Sequence, residues 1–217
     1  ERRKLSEKGQ ESLIHIDRDI YSYYRQFPDF QSLTANLGER IPFWEEMLRH
    51  PDYDDWWQER NVARRLYDVK PAVMVVGGSY DAEDCYGAIE TYAALRRQSP
   101  QTPAYFVYGP WSHGGWRDSK YNRLGRSYFG EGSSDFFMEE IEYPFFAYYL
   151  EGKGEKPVAV HVLPSRAMSV DSRYDTAKDL KTYSEWPVGQ RREVSLYLNR
   201  RKLSEKAPSG APKSRSY

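Results

Sequence analysis

Two groups of reactive side chains follow two short apolar segments in the middle of the chain. Asp81 comes after residues 71–77 and His113 comes after residues 102–109. Short apolar runs bounded by glycine and proline are typical of strands buried on both faces of a parallel sheet. In open α/β sheets, functional groups collect in the loops at the carboxyl ends of the strands. We therefore expect Asp81 and His113 to lie close together.

The residues between the two segments predict a crossover helix. Residues 88–97 carry apolar side chains at helical spacing and end in the basic pair Arg96 and Arg97, which suits the negative end of a helix. Asp81 precedes His113 by 32 residues, enough for one helix and one strand. The pattern indicates one βαβ unit and an α/β fold.

An aspartate and a histidine in this arrangement can form the acid–base half of a nucleophilic triad. The carboxylate fixes the tautomer of the imidazole and stabilises the imidazolium that forms when the nucleophile loses its proton. In α/β-hydrolases the chain order is serine, acid, histidine, and Asp81 precedes His113 as that order requires. Many α/β proteins carry both residue types at strand ends, so a purely structural role remains open.

The sequence offers no evident nucleophile for this pair. A nucleophile elbow needs the pentapeptide G-x-S-x-G, which does not occur in the sequence. Ser79 lies two residues before Asp81 on the same predicted loop, and Ser112 adjoins His113 without the glycine frame. We therefore expect the serine to lie outside this chain, upstream of Glu1.

Three carboxylates fall within four residues, because Glu83 and Asp84 follow Asp81 closely. One interpretation is that they stabilise the positive end of the following helix. Another is an anionic patch beside the histidine that holds a cationic substrate group such as an ammonium. A metal site is the least favoured interpretation, since no further run of ligands accompanies them, and we expect no cofactor.

Composition excludes several classes of partner. The 32 basic and 32 acidic residues cancel, so no net charge attracts nucleic acid or an anionic membrane. No stretch approaches the length of a membrane span. Cys85 is the single cysteine, which excludes an intrachain disulfide and a cysteine metal cluster. Its place at a predicted helix start beside Asp84 favours a packed structural cysteine over a reactive one.

The chain divides into three predicted parts. Residues 1–60 have a helical pattern without strand-like alternation and form either a small bundle or a cap over the pocket. Residues 61–154 hold the α/β segment. After residue 154, alternation in residues 158–162 and 194–198 is typical of strands, so residues 155–217 are predicted to begin a second, all-β domain.

The part between His113 and residue 154 has its own expected organisation. Residues 114–132 have the composition of a long loop. Ser133, Ser134 and Asp135 have the residue types that cap a helix, which is predicted to continue to Leu150. Pro144 should kink or split that helix.

The residues around the two loops also carry a family resemblance. Residues 78–87, Gly-Ser-Tyr-Asp-Ala-Glu-Asp-Cys-Tyr-Gly, resemble the acid loop of the α-amino acid ester hydrolases, whose pattern is G-x-W-D-x-E-D-x-[WY]-G. Residues 109–113, Gly-Pro-Trp-Ser-His, resemble the G-P-W-x-H loop that these enzymes share with cocaine esterase, the glutaryl acylases and the wider Xaa-Pro dipeptidyl-peptidase family. Residues 50–57, 143–150 and 196–198 are similar to further segments of the group.

The resemblance implies a serine hydrolase of small-molecule esters or amides. Its fold would be the C-terminal part of an α/β-hydrolase sheet with a helical cap, followed by the start of a β jelly-roll domain. Asp81 would be the triad acid and His113 the general base, while Glu83 and Asp84 would bind the substrate's α-ammonium. Tyr80 departs from the family pattern, which has tryptophan there.

The resemblance also sets the alternatives. One alternative is an Xaa-Pro dipeptidyl-peptidase or a glutaryl acylase-like hydrolase, and another is a non-catalytic fragment or binding module. Family resemblance further implies a homo-oligomer in the full-length protein and a periplasmic or secreted location.

Overall fold

A computed structural model describes residues 19–37, 42–130, 132–165, 176–187, 189, 192–199 and 202–207. The chain separates into two compact units, residues 1–65 and residues 66–217. Residues 1–18 and 38–41 of the predicted helical segment lie outside the described residues.

The described part of the first unit consists of helices joined by short non-helical segments. Its elements are α1 (Ile20–Arg25), α2 (Phe30–Leu37), α3 (Pro42–Arg49), α4 (Asp55–Arg60) and a 3-10 turn (Val62–Arg64). Asp19 caps α1 by accepting the Ser22 N–H at 3.0 Å, and Asp54 caps α4. A carboxylate at this position pairs amide donors that the helix itself cannot satisfy.

The second unit begins with the predicted βαβ segment. Strand β1 (Val73–Gly78) leads into α5 (Cys85–Gln98), which is followed by β2 (Ala104–Gly109). The two strands are parallel and in register from one end to the other, with their last residues, Gly78 and Gly109, opposite each other. The expected crossover unit and its parallel strands are confirmed.

The core lies on both faces of β2, as expected for a strand covered on two sides. Phe106 packs in one cluster with Tyr92 and Leu95 of α5. Its neighbour Val107 packs on the opposite face in a second cluster that includes Trp111. Because successive side chains of a strand point to opposite faces, two consecutive fully buried residues require cover on both sides.

The segment after His113 contains more regular structure than the loop that was predicted. It has a 3-10 turn (Gly115–Arg117) and a small hairpin of β3 (Arg123–Leu124) and β4 (Ser127–Tyr128).

The next helix is assembled from three pieces. An α-helical turn, α6 (Ser133–Phe136), continues through a π-helical segment (Phe137–Glu142) into α7 (Tyr143–Glu151). Pro144 lies in the first turn of α7. Proline lacks the N–H that would bond to the preceding turn, and the helix changes its hydrogen-bond pattern just before it, which agrees with the predicted interruption.

The predicted capping role of the serines is wrong. Gly132 occupies the N-cap position in a left-handed conformation with φ of 75°, and no side chain caps this turn. Ser133 and Ser134 lie inside the helix and are buried. The Ser134 hydroxyl donates to the Gly115 carbonyl at 2.8 Å, so the serines attach the helix to the loop after β2.

One predicted domain assignment is corrected by the sheet. Strand β5 (Val160–Val162) pairs in parallel with β2, opposite Phe106, and its residue Val160 is completely buried. Residues 158–162 therefore belong to the α/β sheet and do not open a separate β domain. Alternation of apolar residues predicts a strand but cannot tell which sheet that strand joins.

The remaining elements follow β5. A short helix, α8 (Thr176–Asp179), precedes β6 (Lys181–Tyr183), which pairs antiparallel with β5 and gives the order β1-β2-β5-β6. Strands β7 (Tyr197–Asn199) and β8 (Lys202–Ser204) form a separate antiparallel pair, and a jelly roll beginning there stays a prediction. Across the described residues, no helix has both the length and the apolar character needed to span a bilayer.

Candidate active site

The ends of β1 and β2 bring the two predicted loops into direct contact. The Ser79 N–H donates to the Gly109 carbonyl at 2.8 Å, and the Tyr80 N–H donates to the Trp111 carbonyl at 3.1 Å. The ladder between the two strands is thus extended into the loops. Asp81 and His113 follow immediately, and their expected proximity is observed.

Close approach of these loops requires glycine at the strand ends. A Cβ atom on Gly78 would lie 2.0 Å from the Trp111 carbonyl oxygen, and one on Gly109 would lie 2.4 Å from the Trp111 ring. Both distances are far below van der Waals contact. Trp111 is itself completely buried, so it cannot move aside to admit a larger residue.

Asp81 is a buried carboxylate whose side chain is hydrogen-bonded to other residues of the site. Only 3% of the residue is exposed. Its Oδ1 accepts the N–H groups of Glu83 and Asp84, each at 2.9 Å, and its Oδ2 lies 3.1 Å from His113 Nδ1. Burial alone would raise the pKa of Asp81, but these hydrogen bonds outweigh burial and hold the pKa below its ordinary value. The carboxyl group is therefore ionised at neutral pH.

His113 is partly exposed to solvent and contacts the buried carboxylate of Asp81 on one side of its ring. Its side chain is 51% exposed, and Asp81 engages Nδ1, which leaves Nε2 for a reaction partner. The hydrogen bond to Asp81, followed by the charge of Glu83, raises the pKa of His113 above its ordinary value; the charges of Asp81 and Asp84 add to this. The surroundings therefore stabilise an imidazolium, as a general base requires once it has taken a proton.

Glu83 and Asp84 lie beside the histidine with their side chains largely in solvent. Their side chains are 72% and 64% exposed. Glu83 Oε2 is 3.9 Å from His113 Nε2, and Asp84 Oδ2 is 3.7 Å from Nδ1. Asp84 occupies the N-cap position of α5 but makes no side-chain capping hydrogen bond. The arrangement can attract a cation next to the imidazole, and the same two charges can also favour the N-terminal end of α5.

Three residues of the site have side chains that could also bind a metal ion. Asp81, Asp84 and His113 each offer one ligand atom, and these atoms lie within 4.8 Å of one another. Two of them, Asp81 Oδ2 and His113 Nδ1, are hydrogen-bonded to each other. A metal ion would have to replace that hydrogen bond, so acid–base chemistry fits the observed arrangement better.

The residues excluded as nucleophiles have other contacts. The Ser79 hydroxyl donates to the Gly109 carbonyl at 2.8 Å. Cys85 is half-buried with Sγ 3.0 Å from the Tyr108 hydroxyl. Burial and, after it, the contact with Cys85 raise the pKa of Tyr108 above its ordinary value. The contact between Cys85 and Tyr108 agrees with a packed, structural role for the cysteine.

A second histidine–aspartate pair, which the sequence analysis missed, lies in the first unit. His50 Nδ1 is 2.6 Å from Asp54 Oδ2, and the His50 ring stacks on Trp56 with centroids 4.9 Å apart. The hydrogen bond from His50 lowers the pKa of Asp54. The sequence could have indicated this pair, because His50 and Asp54 are four residues apart just before a predicted helix. Because Asp54 also caps α4, this pair fixes the start of a helix.

The fold is that of an α/β protein, and the site pairs a buried carboxylate with a histidine at the ends of adjacent parallel strands. The sequence model of the X-Pro dipeptidyl-peptidase (S15) family matches residues 6–115, a range that includes Asp81, Glu83, Asp84 and His113. The chain belongs to that family, and the resemblance drawn from its two loops is confirmed.

Individual relatives agree with this assignment. The cocaine esterase of Rhodococcus sp. (strain MB1 Bresler) is 25% identical over 168 residues, which cover 75% of this chain and 26% of that protein. An aminopeptidase from a marine sediment archaeon, Thaumarchaeota archaeon, has a crystal structure that superposes with a TM-score of 0.72 at 26% identity, over 90% of this chain and 31% of that one. The chain thus spans less than a third of either relative.

Proposed function

We propose that this chain supplies the acid and the general base of a serine hydrolase that cleaves esters or amides. The 3.1 Å contact between Asp81 Oδ2 and His113 Nδ1, at the ends of adjacent parallel strands, carries the proposal. The nucleophilic serine would come from a segment of the protein outside residues 1–217, because the sequence has no nucleophile elbow.

Each residue has a defined step in this reaction. Asp81 keeps the proton on Nδ1, so Nε2 of His113 has the lone pair that accepts the serine proton as the hydroxyl attacks the substrate carbonyl. The resulting imidazolium returns that proton to the leaving alcohol or amine as the carbon–heteroatom bond breaks. Water then repeats the cycle on the acyl-enzyme. The ionised, buried Asp81 stabilises the imidazolium in both halves.

We further propose that the substrate carries an α-amino group on its acyl part. Glu83 and Asp84 present exposed carboxylates within 4 Å of the imidazole nitrogens, where they can meet an ammonium next to the scissile bond. The archaeal relative supports this choice, since an aminopeptidase removes the first residue of a peptide and that residue bears a free ammonium next to the scissile bond.

The edge of β1 that does not face β2 could pair with a strand that carries the proposed serine. Within the described residues, β1 has a hydrogen-bonded neighbour only on its β2 side, although half of its residues are buried. An edge strand with this character pairs readily with a further strand. A serine-bearing strand added beside β1 would end at the same edge of the sheet as Asp81 and His113.

A fluorophosphonate probe, which reacts with activated serines, tests this proposal. We expect the full-length protein to be labelled on a serine outside residues 1–217, and His113→Ala to abolish the labelling. Labelling within residues 1–217 would contradict the proposed location of the nucleophile. A full-length protein that is folded but never labelled would favour a non-catalytic binding module.

Substrate choice is tested by Glu83→Gln combined with Asp84→Asn. The measurement compares kcat/KM for an α-amino acid ester with kcat/KM for the same ester lacking the amino group. Removing two partly solvated charges should reduce that ratio by roughly three- to tenfold. An unchanged ratio would refute the ammonium site while leaving the proposed base intact.

A further inference from the structure

The hairpin that follows the histidine loop contacts both loops of the site. Residues 121–129 contain β3 and β4, and the hairpin is closed by a hydrogen bond from the Phe129 N–H to the Asn122 carbonyl at 2.7 Å. Tyr121 and Phe129, at its two ends, are buried. Neither residue can react with a substrate from such a position, so their contacts indicate what they do.

Tyr121 holds the backbone immediately before the histidine. Its hydroxyl accepts the Ser112 N–H at 3.0 Å. The Ser112 carbonyl in turn accepts the Gly115 N–H at 2.9 Å. These two bonds fix the peptide units on either side of Ser112, which directly precedes His113 in the stretch between β2 and the 3-10 turn.

Phe129 joins this arrangement to the acid loop. Its ring is parallel to that of Tyr121, with an interplanar angle of 5° and centroids 6.3 Å apart. Its ring centroid also lies 4.6 Å from that of Tyr80, the residue directly before Asp81. The Tyr80 hydroxyl donates to the Ser165 carbonyl at 3.0 Å, which anchors the far end of the stack.

The hydrogen bond between Asp81 and His113 is sensitive to small movements of the histidine loop. The separation of 3.1 Å between Asp81 Oδ2 and His113 Nδ1 is near the upper end of the normal hydrogen-bond range. A displacement of the histidine loop by about half an ångström would break the bond, and catalytic rates fall steeply when reacting groups are misplaced by that much.

We propose that Tyr121 and Phe129 are positioning residues, which hold His113 within hydrogen-bonding distance of Asp81 by linking the residues that precede each of them. Where turnover is the readout, this inference rests on the proposed hydrolase function. It also has a consequence that is independent of turnover, because a looser Asp81–His113 bond changes the proton affinity of the imidazole.

The kinetic test uses hydroxyl and ring removals with matched controls in the full-length protein. Tyr121→Phe keeps the ring and removes the acceptor of the Ser112 N–H, and we expect kcat to fall about tenfold with KM nearly unchanged. Tyr149→Phe removes a phenol hydroxyl that lies 2.6 Å from the Tyr105 hydroxyl, away from both loops, and should leave kcat unchanged. Phe129→Leu should lower kcat, whereas Phe145→Leu, at another buried ring, should lower only stability.

The second test follows the titration of His113 by NMR in protein labelled with ¹³C-histidine. The signal that disappears in His113→Ala identifies the residue. Tyr121→Phe and Phe129→Leu should each lower the pKa of His113 towards its ordinary value, and Tyr149→Phe should not. An unchanged titration, or an equal fall of kcat in the controls, would overturn the positioning role. A wild-type protein without serine-dependent turnover would refute the proposed function, and the titration would still decide the positioning role.

Discussion

The protonation of His113 is governed by three carboxylates that approach it differently. Asp81 is buried and bonded to Nδ1, while Glu83 and Asp84 act through their charge from solvent. Under the proposed mechanism the neutral imidazole is the active base. A raised pKa therefore keeps His113 protonated, and inactive as a base, up to a higher pH than an ordinary histidine.

Glu83→Gln should move the acidic limb of the pH dependence of kcat/KM to lower pH. The charge of Glu83 is the second-largest cause that raises the pKa of His113, so its removal lets the imidazole lose its proton at lower pH. The measurement is a pH–rate profile on the full-length protein. The control is Glu90→Gln, which removes a carboxylate paired with Arg97 on α5. If Glu83→Gln did not shift the acidic limb, or shifted it only as much as Glu90→Gln does, the charge of Glu83 would not be a cause of the raised pKa of His113.

Asp81→Asn should reduce stability in a way that depends on pH. The folded protein lowers the pKa of Asp81, so the ionised form contributes stability above the ordinary carboxyl pKa, and this contribution is lost as pH falls through the lowered value. Near neutral pH we expect a loss of roughly 1–3 kcal/mol in the free energy of unfolding, measured with urea. The difference from wild type should shrink in acid.

The matched control for Asp81 is Asp118→Asn. Asp118 also accepts a backbone N–H, from Lys120 at 2.9 Å, but it is exposed. Its replacement should change stability far less. A difference between Asp81→Asn and wild type that stays constant down to strongly acidic pH would show that the charge of Asp81 is not responsible.

At the level of elements, the site depends on how tightly the loops after β1 and β2 pack. The strands end in register, and the loops approach until no side chain fits between Gly78 and the Trp111 backbone. The hairpin and α6 then attach to the histidine loop through Tyr121 and Ser134. The two strands, the hairpin and α6 thus all contribute to holding the side chains of Asp81 and His113 in place.

Gly78→Ala should disrupt this packing. The added methyl group would overlap a backbone oxygen of a buried residue, and overpacking of this kind costs about 2–3 kcal/mol in unfolding free energy. Gly87→Ala is the comparison, because a methyl group there would lie 3.3 Å from an Asp84 oxygen that can rotate away. Inside a helix that change should be neutral or stabilising by less than about 1 kcal/mol. Equal urea midpoints for the two variants would contradict the packing argument.

For the molecule as a whole, the edge of β1 matters: among the described residues this half-buried strand has a hydrogen-bonded neighbour only on its β2 side. Such an edge promotes association with another chain. A polypeptide of residues 1–217 should therefore self-associate as its concentration rises, in a sedimentation-velocity experiment. Sedimentation as a monomer across the whole concentration range would mean that the edge of β1 is protected.

The features of the fold and the site that the sequence predicts are those set by residues close together in the chain. The βαβ unit and the proximity of Asp81 and His113 follow from neighbouring apolar runs, because consecutive parallel strands joined by one helix are usually adjacent. Strand β5 was assigned to the wrong domain because its partner lies more than fifty residues earlier. The contacts of Tyr121, Phe129 and Ser134 depend on side-chain placement, which no sequence period encodes.

The capping error has a similar cause. Ser133 and Ser134 have the right types for an N-cap, but a buried tryptophan N–H and a backbone carbonyl compete for their hydroxyls. Tertiary hydrogen bonds outweigh the local preference, and Gly132 takes the cap because its left-handed conformation costs glycine little.

The role of His113, paired with Asp81, as the general base is tested by His113→Ala in the full-length protein. We expect kcat for ester hydrolysis to fall by about 10⁴- to 10⁶-fold while the protein stays folded. His50→Ala is the control, because it removes the histidine of the other His–Asp pair and should leave kcat within a few-fold of wild type. Undiminished hydrolysis in His113→Ala, or an equal loss in His50→Ala, would contradict the assignment of His113 as the general base.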